Sequence, residues 1–208
     1  MAPPARRLEP RKTPKQRRAH DTRERILAAG ARVFSRHGYA AGTTNRIAAD
    51  AGLSVGSLYQ YFPNKDAILV ELVRRHVAEG TAAIADRLAD PAALPDALAD
   101  RIGLFVDATL ANHVTDPRLH QVLFEEAPRP RELLDELHRL EESVIASAEA
   151  ILCADPTVHV ADPAMAARLV VNAVESLVHR YVTSRPDDLD PTSFRDELVT
   201  MLIRYLTG

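Results

Sequence analysis

Gly42-Thr43-Thr44-Asn45-Arg46-Ile47-Ala48-Ala49-Asp50-Ala51-Gly52-Leu53-Ser54-Val55-Gly56-Ser57-Leu58-Tyr59-Gln60-Tyr61-Phe62 reads as two short helices joined by a tight turn. Thr43 or Thr44 carries the hydroxyl that caps the first, predicted over 44–51, whose Ile47, Ala48 and Ala51 face inward. Ala48 is small enough for two helices to cross closely, and Gly52 takes the left-handed backbone that such a turn requires. Ser54 caps the second, predicted over 55–61, and Leu58 and Phe62, four apart, anchor it to a core. Val55, Gly56, Ser57, Tyr59, Gln60 and Tyr61 then lie on the other side. This is the grammar of a helix-turn-helix, whose first helix crosses the backbone of a DNA duplex while the second enters the major groove.

Outward from this unit the apolar residues keep a helical spacing. A preceding helix is expected over 21–37, opened by Asp21 and Glu24 in the pattern of a capping box and stopped at Gly38. Another follows over 65–88. Beyond it Asp-Pro recurs at Asp90, Asp116, Asp155, Asp162 and Asp190; Asp caps orphan backbone donors and Pro suits the first helical position. Helices are therefore predicted over 117–126, 163–184 and 191–207, with others over 95–111, opened by Leu94-Pro95, and 131–153. Nine helices and no sheet make an all-α protein. Its expected parts are a disordered basic arm (1–19), a helix-turn-helix domain (20–66) and a helical body (67–208).

The 208 residues carry a net charge of -3 that hides an asymmetry: Met1 to Lys65 holds thirteen Lys and Arg against four Asp and Glu, and the remainder is acidic. A basic block beside an acidic one fits a polyanion-binding module. A solvated tail is the plainer account, because seven of those thirteen cations precede Ala19. The longest uncharged stretch, Ala51 to Asn64, is too short and too polar to span a bilayer. No apolar segment of a secretory signal follows the basic start, and one cysteine, Cys153, suits a reducing compartment, so a cytoplasmic protein is expected.

From Thr22 to about Leu72 the sequence resembles the tetracycline-repressor (TetR) family of bacterial transcriptional regulators. The resemblance rests on Arg25-Ile26-Leu27, Val33-Phe34, His37-Gly38-Tyr39, Thr43-Thr44, Ile47-Ala48, Ala51-Gly52, Ser54, Gly56, Leu58 to Phe62 and Lys65. It implies phosphate contacts by Thr44 and Lys65 and rim contacts by Tyr59 and Tyr61, which position the protein without reading sequence. Base reading falls to Asn45, Val55, Ser57 and Gln60: an amide pairs with adenine, and a valine packs on a thymine methyl. Thr43 and Ser54 frame these helices, Gly56 admits close backbone approach, and Arg46 reaches either a phosphate or a guanine. Plainer readings stand beside these: Tyr59 as partial core, Asn45 as a helix cap, Arg46 as a solvated charge.

The resemblance also implies a homodimer on a palindromic operator and a small-molecule effector. Met165, Leu169, Ala173, Leu177 and Tyr181 form one candidate dimer stripe, and Phe194, Leu198, Met201, Leu202 and Tyr205 another; ordinary intrachain core explains the same pattern. Candidate effector contacts are Phe105, Phe124, Glu125, His138, Asn172, Glu175 and His179, each taken singly more readily read as core or solvated surface. The many carboxylates fit a cationic effector or a merely acidic surface. An enzyme is the rival from another class, but no P-loop, G-x-G-x-x-G, G-x-S-x-G or H-E-x-x-H occurs. The eight His are scattered, and His138 with Glu142 has the spacing of a surface pair, so no metal and no cofactor are expected. A second rival is an architectural DNA binder indifferent to sequence.

Overall fold

A computed structural model describes residues 14–88, 94–114, 116–126, 128–184 and 190–208. Among them the chain is all-α: α1 (Pro14–Ala41), α2 (Thr44–Asp50), α3 (Val55–Tyr59), α4 (Lys65–Leu88), α5 (Leu98–Val114), α6 (Pro117–Gln121), α7 (Arg131–Ala154), α8 (Pro163–Ser184) and α9 (Pro191–Thr207). A π-helical turn, Val122–Glu126, continues α6. As expected, Asp116, Asp162 and Asp190 accept from the amides of Leu119, Met165 and Ser193 at 2.9, 3.0 and 2.9 Å, capping α6, α8 and α9.

Three expectations change. Residues 1–13 of the basic arm lie outside the described residues, but 14–19 open α1, since Lys15 to Ala19 are good helix formers behind a proline at the first position. Asp21 and Glu24 therefore sit inside a helix and form no capping box. Glu24 instead takes both guanidinium nitrogens of Arg75 on α4, one at 2.5 Å, and this hydrogen bonding holds its carboxyl below the usual range. Third, α5 starts three residues later than Pro95 suggests, where the buried stripe Leu98, Ile102, Val106 and Thr109 begins; Pro95 instead accepts from Arg101 Nε at 2.7 Å. The break at Gly38 falls where expected, with φ 71°.

Among the described residues two apolar cores result. One joins Ile26, Phe34, Ile47, Leu58 and Phe62 to Ile68 and Leu69 of α4 and reaches Val122, Leu123 and Leu133. The other fills the space between α5, α7, α8 and α9. Hydrogen bonds fasten α6 and its π turn to α1: Ser35 Oγ donates to Asp116 Oδ1 at 3.0 Å, and the Tyr39 amide to Glu126 Oε2 at 2.9 Å.

Candidate nucleic-acid interface and cavity

Thr43 is the cap of α2, its hydroxyl accepting from the Arg46 amide at 3.3 Å. Thr44 is left outside the cap, 3.3 Å from the Tyr59 hydroxyl, and Asn45 is an exposed first-turn residue, not the cap. Gly52 makes the turn with φ 65°, and Arg25 donates to the Ala51 carbonyl at 2.6 Å, tying α1 to the end of α2. Ser54 caps α3 through the Ser57 amide at 3.1 Å. Leu58 and Phe62 are 0% and 5% exposed, so α3 is held by one face. Tyr59 is 51% exposed and Gln60 exposed; Ser57 is half-buried. Val55 and Tyr61 are half-buried against the first core, which narrows the outward surface from the six residues expected.

Two cations are turned back onto α1. Arg46 donates to the Ala41 carbonyl at 3.0 Å. Lys65 donates to the Tyr39 carbonyl at 2.7 Å and stands 3.8 Å from the centre of its ring. The Tyr39 hydroxyl donates to Asp66 at 2.7 Å; that bond and burial raise its pKa.

A cavity of about 590 Å³ lies among α4, α5, α6, α7 and α8. Of the seven candidate effector residues, Phe124, Asn172, Glu175 and His179 line it. Phe105 lines a separate apolar pocket of about 60 Å³. His138 and Glu125 do not line the cavity. His138 is exposed on α7 and stands 3.8 Å from Glu142, the surface pair predicted, and 4.0 Å from Glu141, while Leu137 and Leu140 line the cavity. Glu125 is exposed and lies 3.5 Å from His179 Nε2.

Four of the eight histidines come together in space. His76 of α4, His113 of α5, His120 of α6 and His179 of α8 meet in the cavity wall. His120 Nδ1 is 3.0 Å from His76 Nε2, and His120 Nε2 is 2.7 Å from His179 Nδ1. The Asn112 amide nitrogen stands 3.2 Å from His76 Nε2, and His113 Nδ1 donates to the Thr109 carbonyl at 2.8 Å. Burial, reinforced by the neighbouring imidazoles, depresses the pKa of His76 to about 4 and that of His120 further. Burial lowers His113 as well, against the pull of its bond to Thr109. Glu175 keeps 48% of its side-chain surface, yet enclosure within the cavity wall and the Glu141 charge push its pKa up to about 7. The sequence reading missed His76, Asn112, His113 and His120. One signal was present: His113 continues the apolar i, i+4 and i, i+7 stripe of α5 through Ile102, Val106 and Thr109.

Two family profiles match: "Bacterial regulatory proteins, tetR family" over residues 26–72, and "Tetracyclin repressor-like, C-terminal domain" over residues 97–206, more than half the chain. The chain belongs to the TetR family. The transcriptional repressor KstR of Mycobacterium tuberculosis is 30% identical over 185 residues, 88% of this chain and 81% of KstR. By contrast, the chain spans only 20%, 28% and 40% of the Bacillus subtilis regulators YerO, YxaF and LmrA. A tetR-family regulatory protein of Rhodococcus RHA1 shares the fold with TM-score 0.70 and 24% identity, over 89% of this chain and 96% of that one. FadR of Bacillus subtilis, solved with stearoyl-CoA, does so with TM-score 0.68 and 18% identity, over 86% and 97%. TetR-family proteins are DNA-binding transcriptional regulators, not enzymes. Among the described residues no helix is long and apolar enough to cross a membrane.

Proposed function

We infer that this TetR-family protein is a sequence-specific, ligand-responsive repressor that binds a palindromic operator as a homodimer in the cytoplasm and is released by a small molecule. One observation carries the reading: α3 is pinned by Leu58 and Phe62 while Tyr59 and Gln60 stay outward. In this assignment Gln60, Ser57, Asn45 and Val55 read bases. Thr44, Tyr59, Tyr61, Lys65 and Arg46 hold the sugar–phosphate backbone, with Thr43, Ser54 and Gly56 shaping the approach.

The dimer reading is supported by an uncovered apolar face. Among the described residues, five of the eight exposed large apolar side chains lie on α8 and α9: Met165, Leu169, Leu177, Met201 and Tyr205. Ala173 continues the α8 stripe, half-buried. Leu198 and Leu202, each 4% exposed, belong to the chain's own core and leave the candidate interface, and Tyr181 and Phe194 stack on each other at 4.2 Å. Pairing through α8 and α9 gives a four-helix bundle and places two reading helices about 34–36 Å apart, one turn of DNA.

The cavity is of a size that small molecules occupy, roughly 300–1,000 Å³. Its His120 and Phe124 belong to the segment fastened to α1 through Ser35 and Tyr39, so an effector that shifts this segment shifts the reading unit. A coupling of ~1–3 kcal/mol is typical of such devices.

Selection of bound fragments from random DNA tests the reading. A palindrome with half-sites one turn apart is the expected product; equal affinity for scrambled DNA would convert the protein into an architectural binder. On the selected operator, Lys65→Ala should weaken binding to every sequence and flatten the slope of log affinity against log salt by about 1. Gln60→Ala should instead relax preference at one operator position by about 1–3 kcal/mol, and an equal loss on all sites would remove Gln60 from base reading.

A further inference from the structure

We propose that His113, His120 and His179 form a binding site for a divalent transition metal of the zinc class, with Glu175 supplying the fourth ligand. The proposal shares the cavity of the effector reading and rests on that reading only for its consequence at DNA.

The geometry has three parts. First, one potential ligand atom from each of the three imidazoles falls in a cluster whose atoms all lie within 4.8 Å of one another. A tetrahedral ion bound at ~2.0–2.1 Å needs its ligand atoms about 3.3 Å apart. His120 Nε2 and His179 Nδ1, now at 2.7 Å, must open slightly, and the remaining separation must close by side-chain rotation. Glu175 Oε2 is 3.8 Å from His113 Nε2 but lies outside that cluster, so its carboxylate must swing inward to take the fourth corner.

Second, each imidazole has an acceptor on its other nitrogen. His113 Nδ1–H donates to the Thr109 carbonyl, so in the neutral ring Nε2 is bare. Glu125 faces His179 Nε2 at 3.5 Å, favouring a bare Nδ1. His120 has one proton for two neighbours; placed on Nδ1 it is accepted by His76 Nε2 at 3.0 Å, and Nε2 is freed. A carbonyl, a carboxylate and an imidazole thus serve as the outer shell that orients metal-bound histidines. Third, the donor set is chemically selective. Three neutral imidazoles and one carboxylate suit Zn²⁺, Co²⁺ or Ni²⁺ and not the oxygen-seeking Mg²⁺ or Ca²⁺. The ligands come from α5, α6 and α8, and His76 adds α4, so the ion would clamp four helices around the cavity.

Titration of the untagged full chain with Co²⁺ tests this directly. One ion per chain should bind with the visible absorption of a tetrahedral site, and Zn²⁺ should displace it. His179→Ala, at the least buried of the three imidazoles, should abolish the band with helicity intact by circular dichroism. His76→Gln should weaken binding about 10–100-fold while keeping the band. Should His179→Ala fail to fold, Glu175→Gln must alter the spectrum instead. Absence of a band overturns the proposal, leaving the imidazoles to share protons among themselves. A band undiminished in folded His179→Ala overturns it too, placing the metal elsewhere, as on the exposed His138 and Glu142. Operator binding is read in parallel without metal: its loss would sink the regulator reading, and its persistence beside a missing band sinks the metal site alone.

Discussion

Leu58→Ala should destabilise the protein by about 2–5 kcal/mol and abolish operator binding at temperatures where the wild type binds. Leu58 is fully buried in the core that contains Ile26, Phe34, Ile47, Phe62 and Ile68, and it sits in a helix of five residues. So short a helix has too few internal hydrogen bonds to persist alone, and its orientation comes from the side chains that pin it. Urea unfolding of the variant gives the magnitude, and footprinting gives the consequence. A loss below about 1 kcal/mol would mean that other contacts hold α3.

Charging the uncovered face of α8 and α9 should weaken DNA binding without unfolding the chain. Leu169→Glu combined with Met201→Glu places carboxylates on residues each 49% exposed, so the folded chain tolerates them. Across a two-fold interface through this face these charges and their symmetry copies would be buried together. The expected product is a folded monomer by analytical ultracentrifugation. Its operator affinity should fall by about 10³-fold or more, toward the level of nonspecific binding, because one short helix reads too few base pairs. A variant that stays dimeric would move the interface off this face. A monomer that keeps full affinity would remove the need for two reading heads.

The features legible before folding share one property: the interacting groups are neighbours in the chain. Thr43 caps three residues ahead, Ser54 does the same, Leu58 and Phe62 lie one turn apart, and Gly52 bends its own backbone. Asp116, Asp162 and Asp190 cap locally too. Glu24 shows where locality misleads: its spacing from Asp21 fits a capping box, but Arg75, 51 residues on, offers a two-pronged ion pair that no local pattern announces.

The amino-acid order alone therefore settled the all-helical class, the helix-turn-helix and the side of α3 that is anchored, since periodicity and capping act within a few residues. Packing decided the rest. An apolar pattern on both sides of α9 does not say which stripe meets its own chain; contact with α5 buried Leu198 and Leu202 and left Met201 and Tyr205 open. Nor does spacing unite His76, His113, His120 and His179, which sit on four helices. Only when α4, α5, α6 and α8 close around one cavity do their imidazoles come within bonding reach, because such a contact depends on the relative placement of whole helices.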